Sequence, residues 1–176
     1  KDINNMIGYN FRLGEIESAI GIEQLKKLET IIISNQKVAA QLNQGLSKLS
    51  GLQVPIVMPG CTHAYYVYPI IIDIENLEVS RDRIHAALVA EGVPVSKGYQ
   101  NLHLLPMYQQ KIAYGNNGFP WSSDICKREV SYEKGICPIA EQLNEESFLG
   151  LNICMYDYSK TDIKLIIMAF EKVWSN

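Results

Sequence analysis

Two short stretches of the sequence gather side chains with chemistry to offer. In the first, Gly8 to Leu28 (GYNFRLGEIESAIGIEQLKKL), Asn10 and Arg12 stand just ahead of a helical pattern. A short amide can cap that helix or reach outward, a planar guanidinium suits phosphate or carboxylate, and the first N–H groups of a helix attract anions. Asn10 and Arg12 can therefore bind a phosphate. In the bland alternative Asn10 is only the cap, and Arg12 is a surface residue paired with Glu15 or Glu17. The second stretch, Lys97 to Tyr114 (KGYQNLHLLPMYQQKIAY), sets Lys97, His103 and three tyrosines around loop signals. A rigid scaffold presents a binding site in this way. His103, between Leu102 and Leu104, also reads as a half-buried structural histidine. Lys97 carries an amine of the kind a Schiff base needs, but its neighbours in sequence supply neither an apolar pocket nor a second cation to lower its pKa. It is not assigned a catalytic role.

These residues need elements to position them. Apolar side chains recur at Ile16, Ala19, Ile20, Leu25, Leu28 and Ile32, then at Val38, Ala39, Leu42, Leu46 and Leu49, with the spacing of one helix face and no proline between. A helix from Leu13 to Leu49 spans roughly 50 Å, more than one small domain needs, so it is expected to join two bodies and to organise the packing of the rest. Ser50 and Gly51 stop it. LQVPIVMP reads as a short edge strand because of Pro55 and Pro59, and Gly60 to His63 as a turn, with His63 a turn residue. Ala64 to Asp73 (AYYVYPIIID) is the strongest strand, apolar on both faces and so expected to be covered on both, with Pro69 removing one ladder donor. Tyr65, Tyr66 and Tyr68 read as core or interface residues.

Ser80 opens a helix that faces inward through Ile84, Ala87 and Leu88, leaves His85 on a solvated side and ends at Gly92; Val93 to Ser96 follows as a short strand. Tyr114 to Gly135 reads as an ordered surface loop pinned by Phe119 and Trp121, with a solvated charged run. Cys137 and Pro138 lead into a short amphipathic helix through Leu143, which gives way to a strand-like Phe148 to Ile153. Ser159 and Asp162 resemble a capping box for a last helix buried through Ile163, Ile166, Ile167, Phe170 and Val173. The fold class is α/β of the α+β kind, a long N-terminal helix followed by a mainly antiparallel sheet with packed helices. The expected division is a segment 1–50 carrying the connecting helix and a small α/β domain 51–176.

With 176 residues, 47% hydrophobic and 20% charged, the chain can bury one good core. A net charge of −3 offers no general attraction for nucleic acid or an anionic membrane. Cys61, Cys126, Cys137 and Cys154 lie far apart, without the spacing of a metal or redox site, and are expected to be reduced and mostly buried. No apolar run reaches about 18 residues, so no membrane span is expected. The chain opens on Lys1 and reads as a piece of a longer protein.

The run GYNFRLGEIESAIGIEQLKKLE, followed in order by HAYYVYPIIID and NLHLLPMY, resembles the DegT/DnrJ/EryC1/StrS family of pyridoxal-phosphate-dependent sugar aminotransferases. The resemblance covers Gly8 to the C-terminus and implies the C-terminal domain of a fold type I enzyme. It implies pyridoxal 5'-phosphate as cofactor and transfer of an amino group from an amino acid, usually glutamate, to a nucleotide-linked keto sugar. The setting it implies is surface-polysaccharide or secondary-metabolite sugar synthesis by a cytoplasmic homodimer. By the same resemblance Asn10 reaches across the dimer to the cofactor phosphate, Arg12 meets a substrate phosphate or carboxylate, and His103 lies beside the nucleotide sugar with Tyr108 nearby. The cofactor-binding lysine is implied upstream of Lys1, so the chain holds no catalytic residue or metal ligand and is expected to be inactive alone. Phe11 departs from the family's usual tyrosine, and Gly14 stands where helix formers or caps are common. Two alternatives remain open: a sugar dehydratase of the same family with histidine in place of that lysine, and a non-catalytic dimerisation module.

Overall fold

The computed structural model describes residues 12–98, 100–114 and 118–175. In chain order its elements are α1 (Glu15–Leu25), α2 (Leu28–Leu46), β1 (Leu52–Gln53), β2 (Tyr68–Ile72), α3 (Ile74–Leu77), α4 (Arg81–Ala90), β3 (Val95–Ser96), α5 (Pro106–Gln109), α6 (Pro138–Gln142), β4 (Phe148–Leu151) and α7 (Lys160–Trp174). A 3₁₀ turn, Leu102–Leu104, precedes α5, and a wide π turn, Leu143–Ser147, joins α6 to β4. The described residues form two compact units, one of 14–98 and 145–175, the other of 100–114 and 118–144 with Arg12 and Leu13.

In the larger unit four strands form an antiparallel sheet in the order β1-β2-β4-β3. The sheet and α2, α4 and α7 enclose a core that includes Leu42, Leu46, Tyr68, Ile70, Ile72, Leu88, Leu149, Leu151 and Phe170. The caps follow the sequence reading. Ser80 accepts from the Arg83 N–H, Gly92 takes a left-handed φ of 83°, and Ser159 with Asp162 closes a full capping box. β1 is the edge strand expected around Leu52.

Several expectations change. The long helix is two helices: the Lys27 N–H donates to Gln24 O three residues back, tightening the backbone, before α2 restarts with the Ile31 N–H on Lys27 O. Only the second half of α2 is an organising element, through Val38, Ala39, Leu42 and Leu46, while α1 buries no residue. The AYYVYPIIID strand begins only at Tyr68. Tyr65 adopts a left-handed φ of 52° with its N–H on His63 Nδ1 at 2.8 Å, and the Gln36 and Asn35 side chains of α2 bind the carbonyls of His63 and Ala64. Neither positive φ nor those bonds suit an extended ladder. β2 is fully buried on one face, Tyr68, Ile70 and Ile72, and half-buried on the other, so the cover expected on both sides is partial on one.

Pro69 pairs with Gly150 of β4, and β1 pairs only with Ile71 and Ile72, so Pro69 faces no strand on the β1 side. Tyr65 and Tyr68 join the core whereas Tyr66 is exposed, and His85 is half-buried. The cysteines are free but not mostly buried: Cys61 and Cys137 are exposed, Cys126 and Cys154 intermediate. Each lies in a turn, loop or cap rather than on a core-facing helix or strand.

One strut is built from a charge. Arg81, first residue of α4 and 6% exposed, donates to Lys97 O and Phe148 O at 3.2 Å each and to Glu145 O at 2.6 Å. Its Nε binds Asp82 at 2.9 Å. A planar guanidinium can serve several carbonyls at once, which ties the start of α4 to the ends of β3 and β4. Among the described residues no helix is long and apolar enough to cross a membrane.

Candidate functional site

The smaller unit carries the second of the two stretches. The 3₁₀ turn lifts His103 out of the chain between Leu102 and Leu104, and Pro106 then starts α5 at a position where a missing N–H does no harm. Across the unit Cys137 and Pro138 start α6, and α6 buries one side chain, Glu141, which is 5% exposed. His103 Nε2 lies 2.7 Å from Glu141 Oε1. That oxygen also accepts from the Gly135 N–H at 2.9 Å and the Cys137 N–H at 3.2 Å, and Oε2 accepts from Gly135 at 2.8 Å. Burial alone would push the Glu141 carboxyl up, but the Gly135 N–H, His103 and the Cys137 N–H together outweigh it and hold the group below the usual carboxylate range. The ionised form is the one this nest of donors suits.

A second set of bonds fixes the backbone beneath the histidine. Gln109 Nε2 donates to His103 O at 2.7 Å and to Tyr132 O at 2.5 Å, joining the 3₁₀ turn and α5 to the far loop. Tyr108 stacks obliquely on Tyr132, ring centroids 5.1 Å apart, and meets Trp121 edge-on at 6.4 Å. Trp121 Nε1–H in turn donates to the Tyr132 hydroxyl at 3.0 Å. Trp121 therefore pins the loop as its sequence suggests, while Phe119 packs on Tyr114 and stays 43% exposed. Beside this aromatic group is a cleft of about 460 Å³ lined by Tyr108, Gln109, Lys111 and residues 129–133.

Of the residues singled out from sequence, the structure brings His103 and Tyr108 into one unit, linked through Gln109. His103 is 11% exposed and is not among the residues lining the cleft. Arg12 is exposed, and among the described residues neither Glu15 nor Glu17 pairs with it. Asn10 lies outside the described residues. Lys97 belongs to the other unit, 48% exposed with Nζ 3.5 Å from Asp82. No set of described side chains forms a cradle for a phosphorylated cofactor, so no step through such a group follows from them. Glu141, Gln109 and Tyr132 are the residues that sequence reasoning passed over. Glu141 had one local signal, an acid in the first turn of a proline-started helix, but its histidine partner is 38 positions away.

The model of the DegT/DnrJ/EryC1/StrS aminotransferase family matches residues 1–148. The chain belongs to that family. Among curated relatives it is 28% identical over 136 residues to GDP-perosamine synthase of Vibrio cholerae, covering 76% of this chain and 36% of that protein. The spore coat polysaccharide biosynthesis protein SpsC of Bacillus subtilis is 26% identical over 125 residues, 70% of this chain and 32% of SpsC. An uncharacterised protein, MJ1066, of Methanocaldococcus jannaschii reaches 31% identity over 124 residues, 70% of this chain and 32% of that one. The chain thus spans about a third of the length of the curated relatives it matches.

Among solved structures, the aminotransferase TlmJ of Streptoalloteichus hindustanus superposes with a TM-score of 0.65 at 25% identity, covering 91% of this chain and 36% of TlmJ. DesV of S. venezuelae shares the fold with a TM-score of 0.72 at 20% identity, covering 96% of this chain and 38% of DesV. The architecture is that of the C-terminal domain in a fold type I aminotransferase of the DegT/DnrJ/EryC1/StrS family.

Proposed function

We propose that this chain is the C-terminal part of a pyridoxal-phosphate-dependent enzyme that moves an amino group from glutamate to a nucleotide-linked keto sugar. The observation that carries the reading is the His103–Glu141 pair in the NLHLLPMY stretch of a family member. An imidazole held by a buried carboxylate, five residues before Tyr108 at the edge of a cleft, is suited to orienting a polar ligand. In the complete enzyme an upstream large domain supplies the cofactor-binding lysine, and the cofactor, when bound, acts as the electron sink for the transfer. The residues of this chain bind and orient. Asn10 meets the cofactor phosphate of the partner subunit in a homodimer, Arg12 holds a substrate phosphate or carboxylate through its planar fork, and His103 and Tyr108 flank the sugar nucleotide. Fixing the sugar in one pose raises the fraction of encounters in reactive geometry. On this reading the 176 residues by themselves are expected to have no turnover.

The test is amino transfer by the full-length protein, supplied with pyridoxal phosphate and run in the direction that needs no labile keto sugar. GDP-perosamine, the product named for two relatives, and 2-oxoglutarate are incubated with the enzyme, and glutamate is measured. Glutamate formed by the full-length protein and not by the 176-residue chain supports the proposal. Turnover by the short chain alone contradicts it, and so does loss of water from a sugar nucleotide without amino transfer.

A further inference from the structure

We propose that Glu141 is a positioning residue for His103: its carboxylate holds the Nε2–H of the imidazole and leaves Nδ1 as the ring nitrogen that meets the nucleotide-linked sugar. The inference rests on the reading of His103 as substrate-side. Its basis is the crowding at a single oxygen. Glu141 Oε1 takes three donors, His103 Nε2 at 2.7 Å, the Gly135 N–H at 2.9 Å and the Cys137 N–H at 3.2 Å. Every contact on the carboxyl group is a donor, with the Gly135 N–H shared between Oε1 and Oε2, which suits the acceptor-only, ionised form. The two backbone donors come from the turn before α6, Gly135, and from its cap, Cys137, so the carboxylate cannot swing away without leaving them unpaired.

A histidine tautomer is set by the partner of one nitrogen, and the other nitrogen is what the ring offers. With Nε2–H committed to Glu141, a neutral His103 presents Nδ1 as an acceptor for a sugar or ribose hydroxyl; a protonated ring presents Nδ1–H to a phosphate. Gln109 fixes the His103 carbonyl at 2.7 Å, so the backbone beneath the ring is held as well. Both side chains are nearly closed to solvent, 11% and 7% exposed, so water competes little for the contact.

The experiment uses full-length holoprotein labelled with ¹⁵N-histidine, the His103 ring signals being assigned by their loss in His103→Gln. In its neutral form the His103 ring of the unsubstituted protein is expected to carry its proton on Nε2, a measurement that needs no altered Glu141. In Glu141→Gln, which keeps the size and removes the charge, the Nδ1–H form becomes populated. KM for GDP-perosamine rises about tenfold, the size of one neutral hydrogen bond, with kcat changed less. Glu141→Asp is expected to restore part of the Nε2–H preference, which a merely space-filling role would not do. A proton on Nδ1 in the unsubstituted protein overturns the proposal, as does a tautomer unchanged in Glu141→Gln. If the tautomer shifts but KM stays level in both Glu141→Gln and His103→Gln, the coupling of Glu141 to His103 stands and the substrate-side reading beneath it falls.

Discussion

Replacing Arg81 with methionine tests how much of the larger unit hangs on one buried cation. Methionine keeps most of the unbranched stem and its packing, so the change isolates the guanidinium. Three carbonyls, Lys97 O, Phe148 O and Glu145 O, then lose a charged donor. A hydrogen bond to a charged group contributes about 1.5–3 kcal/mol, which for independent bonds would sum to well above 4 kcal/mol. The three share one donor group and lie where strand ends meet loops, so water recovers part of the loss, and the bonds are not additive. The expected cost is about 3 kcal/mol. Arg81→Lys keeps the charge but offers a point donor in place of a fork, and is expected to recover less than half of it. The assay is urea unfolding of the full-length protein and both variants, followed by far-UV circular dichroism, with the slope checked for constancy so that the midpoint reports stability. A loss under about 1 kcal/mol for methionine, or full recovery by lysine, would refute the claim that a fork shared among carbonyls holds α4 to the sheet.

Three further outcomes follow from packing and charge. A Cβ at Gly45 would stand 2.6 Å from Cδ1, 2.8 Å from Cγ2 and 2.9 Å from Cγ1 of Ile167, so Gly45→Ala destabilises by about 1–2 kcal/mol despite its better helix propensity. Adding Ile167→Ala should cost less than the sum of the two single changes in the same unfolding assay. Tyr68→Phe removes the hydroxyl that donates to Asn43 Oδ1 at 2.6 Å and is expected to cost about 1–2 kcal/mol, read from the unfolding midpoint. The Ser159 side chain first, and its backbone N–H second, hold the Asp162 carboxyl below its ordinary range. A depressed carboxyl contributes its full stabilisation above the ordinary pKa and loses it as pH falls through the lowered one. Asp162→Asn should therefore lower stability at neutral pH and converge with the unsubstituted protein in acid, a pH series of melting curves being the check.

Local chemistry explains most of what the sequence made legible. Ser80, Gly92, Ser159 and Asp162 act within four residues of their own positions or need only a backbone angle, so a linear reading finds them. The buried face of α7 follows from periodicity in the same way. What stayed hidden depends on partners far along the chain. Gln36 and Asn35 bind carbonyls 27 and 29 residues away in the segment expected to open the strand, which starts only at Tyr68, and the turn at Lys26 and Lys27 leaves no mark on the apolar spacing. The cysteines were expected to be buried from the habit of the residue type, but position in turns and caps decided the matter.

At the candidate site, His103 and Tyr108 stand out in sequence as chemistry-bearing residues in a loop-rich stretch, and family resemblance gives them a role. The residues that hold them do not. Glu141 looks like one of several acids in EQLNEES, set apart from Glu145 and Glu146 only by its place in the first turn of a proline-started helix. Its distinction is burial against His103, which only the fold creates.

The most direct measurement is a crystal structure of the full-length protein with pyridoxal phosphate and GDP-perosamine bound. The account expects the sugar nucleotide within hydrogen-bond reach of His103 Nδ1, with Glu141 still on Nε2 and the Tyr108 ring beside the ligand. A ligand seated in the enzyme with neither His103 nor Tyr108 near it would contradict the account.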